Sequence, residues 1–556
     1  MAQTTTTAHE VNMHKLDVTD LRIAIGGRTI VDRISFSVAP GQRVCLLGES
    51  GSGKSLTAGA VIGRLPSHAV VDGSITVGGT EVLGVAASRR PDHARVATVF
   101  QDSAVALNPL VRIKDQLVEP LRRHRGLTRK EATQAAIDLA ESVGLPDPAR
   151  TVELFSAELS GGQRQRVCIA LALACDTGLL VADEPTTALD VVTQKRVLDV
   201  LQTYTAGERT PSLLFITHDF GVAAELCTDA VVMRSGEVVE QGPLSTLFTA
   251  PRHEYTRSLV AAARAATLEP ATARLREEPA VAAEPERATF LDVQGVGKTY
   301  VVPGRRLFSS PEERVALEPT SLTIEAGERV GIVGVSGSGK TTLLRLMLAI
   351  ESATTGEIRC EGTDVRPGPV RSLAWYRRKV QYVPQDPAST LDPLMTVEAL
   401  LQEPLVRLRV PGDHAAMAAE ALESVGLDEG YRRRRVHELS GGQAQRVAIA
   451  RAIATHPDLL LADEPVSGLD LPMRESIVGL LQEISRTRGT GIVVVSHDLS
   501  MVASLCERTI VMHGGAVIED QPTLQVLTAP QHERTRDLLA SIPSLDRATP
   551  QLVGAE

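Results

Sequence analysis

The chain has 556 residues, room for three or four domains at roughly 150 residues each, so no disulfide or metal staple is needed to hold a core. Its 58 Lys and Arg against 68 Asp and Glu leave a net charge of −10, a poor electrostatic match for nucleic acid. A hydrophobic content of 43% and a charged content of 23%, with no apolar run long enough for a membrane span, exclude disorder, collagen and an integral membrane protein.

The first residues, Met1 to Val18, lack a charged region followed by an apolar core, so they are not read as a secretory signal. The six cysteines (Cys45, Cys168, Cys175, Cys227, Cys360 and Cys506) contain no C-x-x-C pair. They read as reduced, buried thiols rather than metal ligands or disulfides, which suits a cytosolic chain.

Along the chain, a β-rich start over 15–47 ends in the apolar strand VCLLG. A Gly-rich turn and a helix follow, then a helical middle around 128–144. After LSGGQ come a helix, the strand LLVAD, another helix and the strand LLFIT. The same order returns in the second half: a β-rich start over 290–333 ending in VGIVG, a helical middle around 413–426, then LSGGQ, LLLAD and IVVVS. GESGSGKS at 48–55 returns as GVSGSGKT at 334–341, LSGGQ and ADEP each recur 280 residues on, and the His-Asp pair recurs 279 residues on. That is a duplicated domain. Short Val-, Ile- and Leu-rich strands alternating with helices predict an α/β parallel sheet in each copy. The stretch 266–289, rich in Ala, Glu, Pro and Arg, reads as a linker between domains at 1–265 and 290–556.

G-x-x-x-x-G-K-[ST] between an apolar strand and a helix is a phosphate loop in the context that it requires. Gly48, Ser50, Gly51 and Gly53, with Gly334, Ser336, Gly337 and Gly339, let the backbone wrap a phosphate with its N–H groups inward. Lys54 and Lys340 should reach the β- and γ-phosphates, and Ser55 and Thr341 should offer a hydroxyl to Mg²⁺. Asp183 and Asp463 each end an apolar strand, where a second Mg²⁺ ligand belongs. Glu184 and Glu464 follow directly and can polarise an attacking water. An Asp-Glu pair alone reads as a solvated turn; its place after a phosphate loop reverses that reading.

Phosphate loop, LSGGQ, ADEP and a later His-Asp, in this order in both halves, resemble ABC-type ATPases over nearly the whole chain. The resemblance implies two tandem domains. Each would have a RecA-like parallel-sheet core, an antiparallel β subdomain and a helical subdomain. It implies ATP and Mg²⁺ as cofactors and two sites formed head to tail. The first would hold Lys54, Ser55, Gln101, Asp183, Glu184 and His218, completed by Ser440, Gly441 and Gly442. The second would hold Lys340, Thr341, Gln385, Asp463, Glu464 and His497, completed by Ser160, Gly161 and Gly162. Gln101 and Gln385 would join the metal shell, and His218 and His497 would sense the γ-phosphate. Asp190 and Asp470 match the loop that couples the sites. Taken alone, LSGGQ is a helix N-cap with a flexible approach.

Three features resemble the peptide-importer branch. They are the segments QDSAVALNPL…EPL and QDPASTLDPL…EPL, the tails PRHEYTRSL at 251–259 and PQHERTRDLL at 530–539, and the insertion VVPGRRLFSSPEERV. This implies an ATPase that powers peptide uptake at the cytoplasmic face of a bacterial membrane. Its partners would be two integral-membrane permeases and an extracytoplasmic peptide-binding protein. Importers of glutathione, nickel chelates or peptide antibiotics share these motifs, so the cargo stays open. A tandem ABC translation factor is the competing class. The short linker, negative charge and 3% aromatic content speak against it and against a nucleic-acid partner. Residues 255–290 contain no Cys, so no iron–sulfur cluster is expected. Tyr300 matches the aromatic that stacks on adenine; its counterpart in the first half is Ile25.

Overall fold

The computed structural model describes residues 15–49, 51–100, 106–186, 189–205, 211–265, 287–302, 312–469 and 471–542, with a few isolated positions at 267–275 and at 545. The chain divides into two compact units, one built on residues up to 264 and one on residues 265–542. The segment expected to be a linker, 266–289, lies largely outside the described residues.

In the first unit, a four-stranded antiparallel sheet runs Arg28–Val38, Leu16–Ile25, Val70–Val77, Thr80–Glu81. A six-stranded sheet runs Glu237–Pro243, Asp229–Arg234, Arg43–Leu47, Ser212–Thr217, Leu179–Asp183, Ala97–Val99. Its strands are parallel except the edge strand Glu237–Pro243. The central strands are the apolar runs of the sequence, buried on both faces. Leu16 and Ile75 of the antiparallel sheet share one core with Leu46, Val181 and Ile216 of the parallel sheet. The helices Ile113–Arg125, Arg129–Ser142 and Gly161–Ala174 form the helical part. Thr128 and Glu131 close a capping box at the start of the second of these.

The second unit repeats the plan. Its antiparallel sheet runs Glu312–Glu325, Thr289–Val302, Thr355–Cys360, Thr363–Asp364. Its six-stranded sheet runs Val380–Val383, Leu459–Asp463, Gly491–Ser496, Arg329–Val333, Arg508–His513, Ala516–Pro522, and only the last is antiparallel. The expected α/β class, with a parallel core, an antiparallel sheet and a helical part in each half, is the observed one. Five cysteines are buried and Cys175 is half-buried, all as free thiols. Among the described residues, no helix is long and apolar enough to cross a membrane.

The candidate nucleotide sites

Each phosphate loop leaves the end of the strand that precedes it and enters a helix, Lys54–Ile62 or Lys340–Met347. The geometry explains two glycines in each copy. Gly48 and Gly334 have φ of 153° and 156°, and a Cβ there would lie 2.2 Å from the carbonyl oxygen of Met233 or Met512. Gly53 and Gly339 cap the helices in the left-handed region, at φ 99° and 98°. Around Gly51 and Gly337 an added Cβ would meet nothing within 4 Å.

Both lysines are buried and lie across their own loops. Lys54 Nζ donates to the carbonyls of Gly48 and Glu49, each at 2.7 Å. Lys340 Nζ donates to those of Gly334 at 2.7 Å and Val335 at 2.9 Å. Burial pulls the Lys340 ammonium below the ordinary lysine range. Ser55 Oγ donates to Asp183 Oδ1 at 3.2 Å, joining the loop to the end of the Leu179–Asp183 strand. Burial first, then the charge of Glu464, raises the Asp463 carboxyl to about 6. Burial likewise raises Asp183.

Glu184 and Glu464 stand in the left-handed region, at φ 44° and 46°. Their N–H groups donate to Ile216 and Val495 on the neighbouring strands, at 3.0 and 2.8 Å. A bulky residue held there is strained, and strain of this kind collects at functional sites. His218 Nδ1 lies 3.4 Å from Glu184 Oε1, and His497 Nδ1 lies 3.0 Å from Glu464 Oε1. Gln385 Nε2 donates to Glu464 Oε2 at 3.1 Å. Burial opposes charge on both members of the second pair. The hydrogen bond and mutual charge win, so Glu464 is lowered and His497 raised. The structure thus brings together Ser55 with Asp183, Glu184 with His218, and Gln385 with Glu464 and His497. Gln101, Ser50 and Asp470 lie outside the described residues.

Ser160 and Ser440 are the N-caps of the helices Gly161–Ala174 and Gly441–Ile453. Each hydroxyl accepts the N–H three residues on, and each Gln side chain, from Gln163 or Gln443, accepts the serine N–H. The final Gln of LSGGQ is therefore half of a capping box, which the S-x-x-Q spacing signals. One partner carried no sequence signal: Tyr300 donates to Glu351 at 2.6 Å. The strand pairings place Ile25 at the position equivalent to Tyr300, counting from Leu16 and Leu291.

The ABC transporter family model matches residues 31–187 and 317–467. The chain belongs to that family. A second model, the oligopeptide/dipeptide transporter C-terminal region, matches residues 239–290. Among the relatives of this ABC protein is the oligopeptide transport ATP-binding protein OppD of Mycobacterium tuberculosis, 37% identical, with 96% of this chain and 99% of the relative covered. The peptidoglycan transport ATP-binding protein YejF of Agrobacterium fabrum is 37% identical over 95% of this chain and 96% of its own length. The glutathione import ATP-binding protein GsiA of Escherichia coli is 36% identical over 94% of this chain and 88% of its own. The chain is an ABC-type ATPase that binds ATP.

Proposed function

We propose that this ATPase powers peptide import at the cytoplasmic face of a bacterial membrane, together with two permease subunits and an extracytoplasmic peptide-binding protein. The observation that carries the peptide reading is the match of residues 239–290 to the oligopeptide/dipeptide transporter C-terminal region. The permease reading is supported by a repeated surface feature. Leu110 is 84% exposed and Leu394 is 76% exposed, in the two segments resembling those that grip permeases. Asn108 and Asp392 hold each leucine out by accepting its N–H in a tight turn, at 3.0 and 2.9 Å. Beside the second segment, a groove of about 870 Å³ is lined by Val370, Tyr376, Tyr382, Pro404, Leu408 and Arg451. Apolar walls with a basic rim suit an amphipathic helix with an acidic end.

The loops fit the cofactors. The left-handed glycine turn, the lysine lying across it and the helix N-terminus suit a triphosphate. A hydroxyl and a carboxylate oxygen from Ser55 and Asp183, and from Thr341 and Asp463, would suit Mg²⁺, with Gln385, and Gln101 by its place in the motif, as further ligands. Bound Mg²⁺ would neutralise charge on the phosphates. Glu184 and Glu464 would accept a proton from the attacking water, and His218 and His497 would hold those carboxylates in position.

Deleting the chain in its own cell should abolish uptake of labelled di- and oligopeptides, and the chain should copurify with two membrane subunits. Loss of glutathione uptake alone would replace the peptide reading; the relative GsiA makes that the second reading. Copurification with ribosomes would discard import altogether.

A further inference from the structure

The tail motif at 251–259 is bonded to the first phosphate loop. The backbone N–H of Glu49, the residue after Gly48 in that loop, donates to the hydroxyl of Tyr255 at 2.9 Å. Tyr255 is only 3% exposed. Its place is fixed on three sides. Glu240, on the edge strand, accepts the N–H groups of Arg252 and His253 at 2.9 and 3.0 Å, which pins the turn before the helix Glu254–Ala265. His253 Nδ1 accepts the N–H of Tyr255 at 3.1 Å. The Arg234 guanidinium lies over the ring, 5.0 Å from its centre. Arg234 directly follows Met233, whose carbonyl packs against Gly48.

The second unit builds the same turn. Glu519 accepts the N–H of His532, and His532 Nδ1 accepts the N–H of Arg534 at 3.0 Å. The residue presented there is Arg534. A guanidinium has donors only and cannot accept an N–H. Arg534 pairs with Asp537 at 3.3 Å and is 54% exposed.

We propose that Tyr255 is a positioning residue of the first nucleotide site: its hydroxyl holds the Glu49 peptide, and so ties the tail helix to the loop that binds ATP. This rests on the reading of the Lys54 loop as an ATP site. Glu49 sits between two bonds. Its N–H is held by Tyr255, and its carbonyl accepts from Lys54 at 2.7 Å. When Lys54 turns to phosphate oxygens, the Tyr255 bond is what keeps that peptide oriented. The loop of the first site is thereby braced through a bond that Arg534, having donors only, cannot accept at the second.

The test is equilibrium binding of a fluorescent ATP analogue to the full-length chain. A Lys340→Ala background reports the Lys54 site, and a Lys54→Ala background reports the other. Tyr255→Phe keeps the ring and its Arg234 stack and removes the acceptor. It should weaken binding at the Lys54 site by about tenfold, the size of one lost hydrogen bond, and leave the Lys340 site unchanged. Glu49→Pro removes the N–H itself, so adding Tyr255→Phe to Glu49→Pro should change nothing further. Unaltered affinity at the Lys54 site in Tyr255→Phe overturns the proposal, as does equal weakening at both sites, which marks a general structural role. If Glu49→Pro does not fold, the two-site comparison decides alone. No binding to the Lys340→Ala parent, with Tyr255 intact, overturns the ATP assignment of the Lys54 loop and this inference with it.

Discussion

The hydroxyl of Tyr300 donates to Glu351 at 2.6 Å, while Lys298 Nζ lies 5.1 Å from the centre of the same ring. A carboxylate fixes the ring's edge and a cation covers one face, so the other face is what remains for a base. Ile25, at the equivalent register, offers only an aliphatic surface. Base–aromatic stacking is worth roughly 1–3 kcal/mol. Tyr300→Ala should therefore weaken ATP binding at the Lys340 site by about tenfold, and Ile25→Tyr should tighten the Lys54 site by a similar factor. Analogue binding to Lys54→Ala and Lys340→Ala backgrounds reads each site separately, and unchanged affinities in these variants would discard the stacking argument.

Glu184→Gln and Glu464→Gln should each cut ATP turnover in the assembled transporter by at least about a hundredfold, the usual range for a lost general base. ATP binding should persist, because neither carboxylate belongs to the phosphate loop. Steady-state turnover and filter binding check the two halves of this statement. Normal turnover in either variant would make that site regulatory.

The Glu464–His497 pair gives a pH signature. His497 is raised above 6.5, so its contribution to stability is complete below 6.5 and is lost as pH rises through the folded-state value. Glu464 is lowered below 4.5, so its contribution is complete above 4.5 and is lost as pH falls through its depressed value. Nuclear magnetic resonance of the protein without nucleotide or Mg²⁺ should show His497 titrating above 6.5. In Glu464→Gln, burial acts with less opposition, and the value should fall. A His497 titration that Glu464→Gln leaves in place would show that the carboxylate does not set it.

Two glycines of one loop should respond differently to alanine. At Gly337, with φ 79° and open space around the new Cβ, the cost is the left-handed backbone alone, about 1–2 kcal/mol. At Gly334 the Cβ would lie 2.2 Å from the Met512 carbonyl, so a core strand must move. Gly334→Ala should lower the melting temperature more than Gly337→Ala and also abolish nucleotide binding. Chemical denaturation orders them; the reverse order would refute the steric argument.

Much of this was legible in the sequence because the chemistry is local. The phosphate loop needs particular backbone angles, so Gly48 and Gly53 announce it six residues at a time. Asp183 and Glu184 follow a strand that its own apolar run identifies. What escaped is what the fold joins from afar. Glu49 and Tyr255 are 206 positions apart, and Tyr300 and Glu351 are 51 apart. No periodicity or spacing rule links such pairs. Gln163 is a different case: LSGGQ already signals a helix N-cap at Ser160, and its S-x-x-Q spacing adds Gln163 as the second half of a capping box.

The turn braced by Glu240 in one half and Glu519 in the other is one socket with two occupants, Tyr255 and Arg534. After a duplication, such a socket lets the copies part company cheaply. A single substitution changes what is presented to the neighbourhood of the loop while the backbone that presents it stays the same. Divergence between the halves then need not pass through an unstable intermediate.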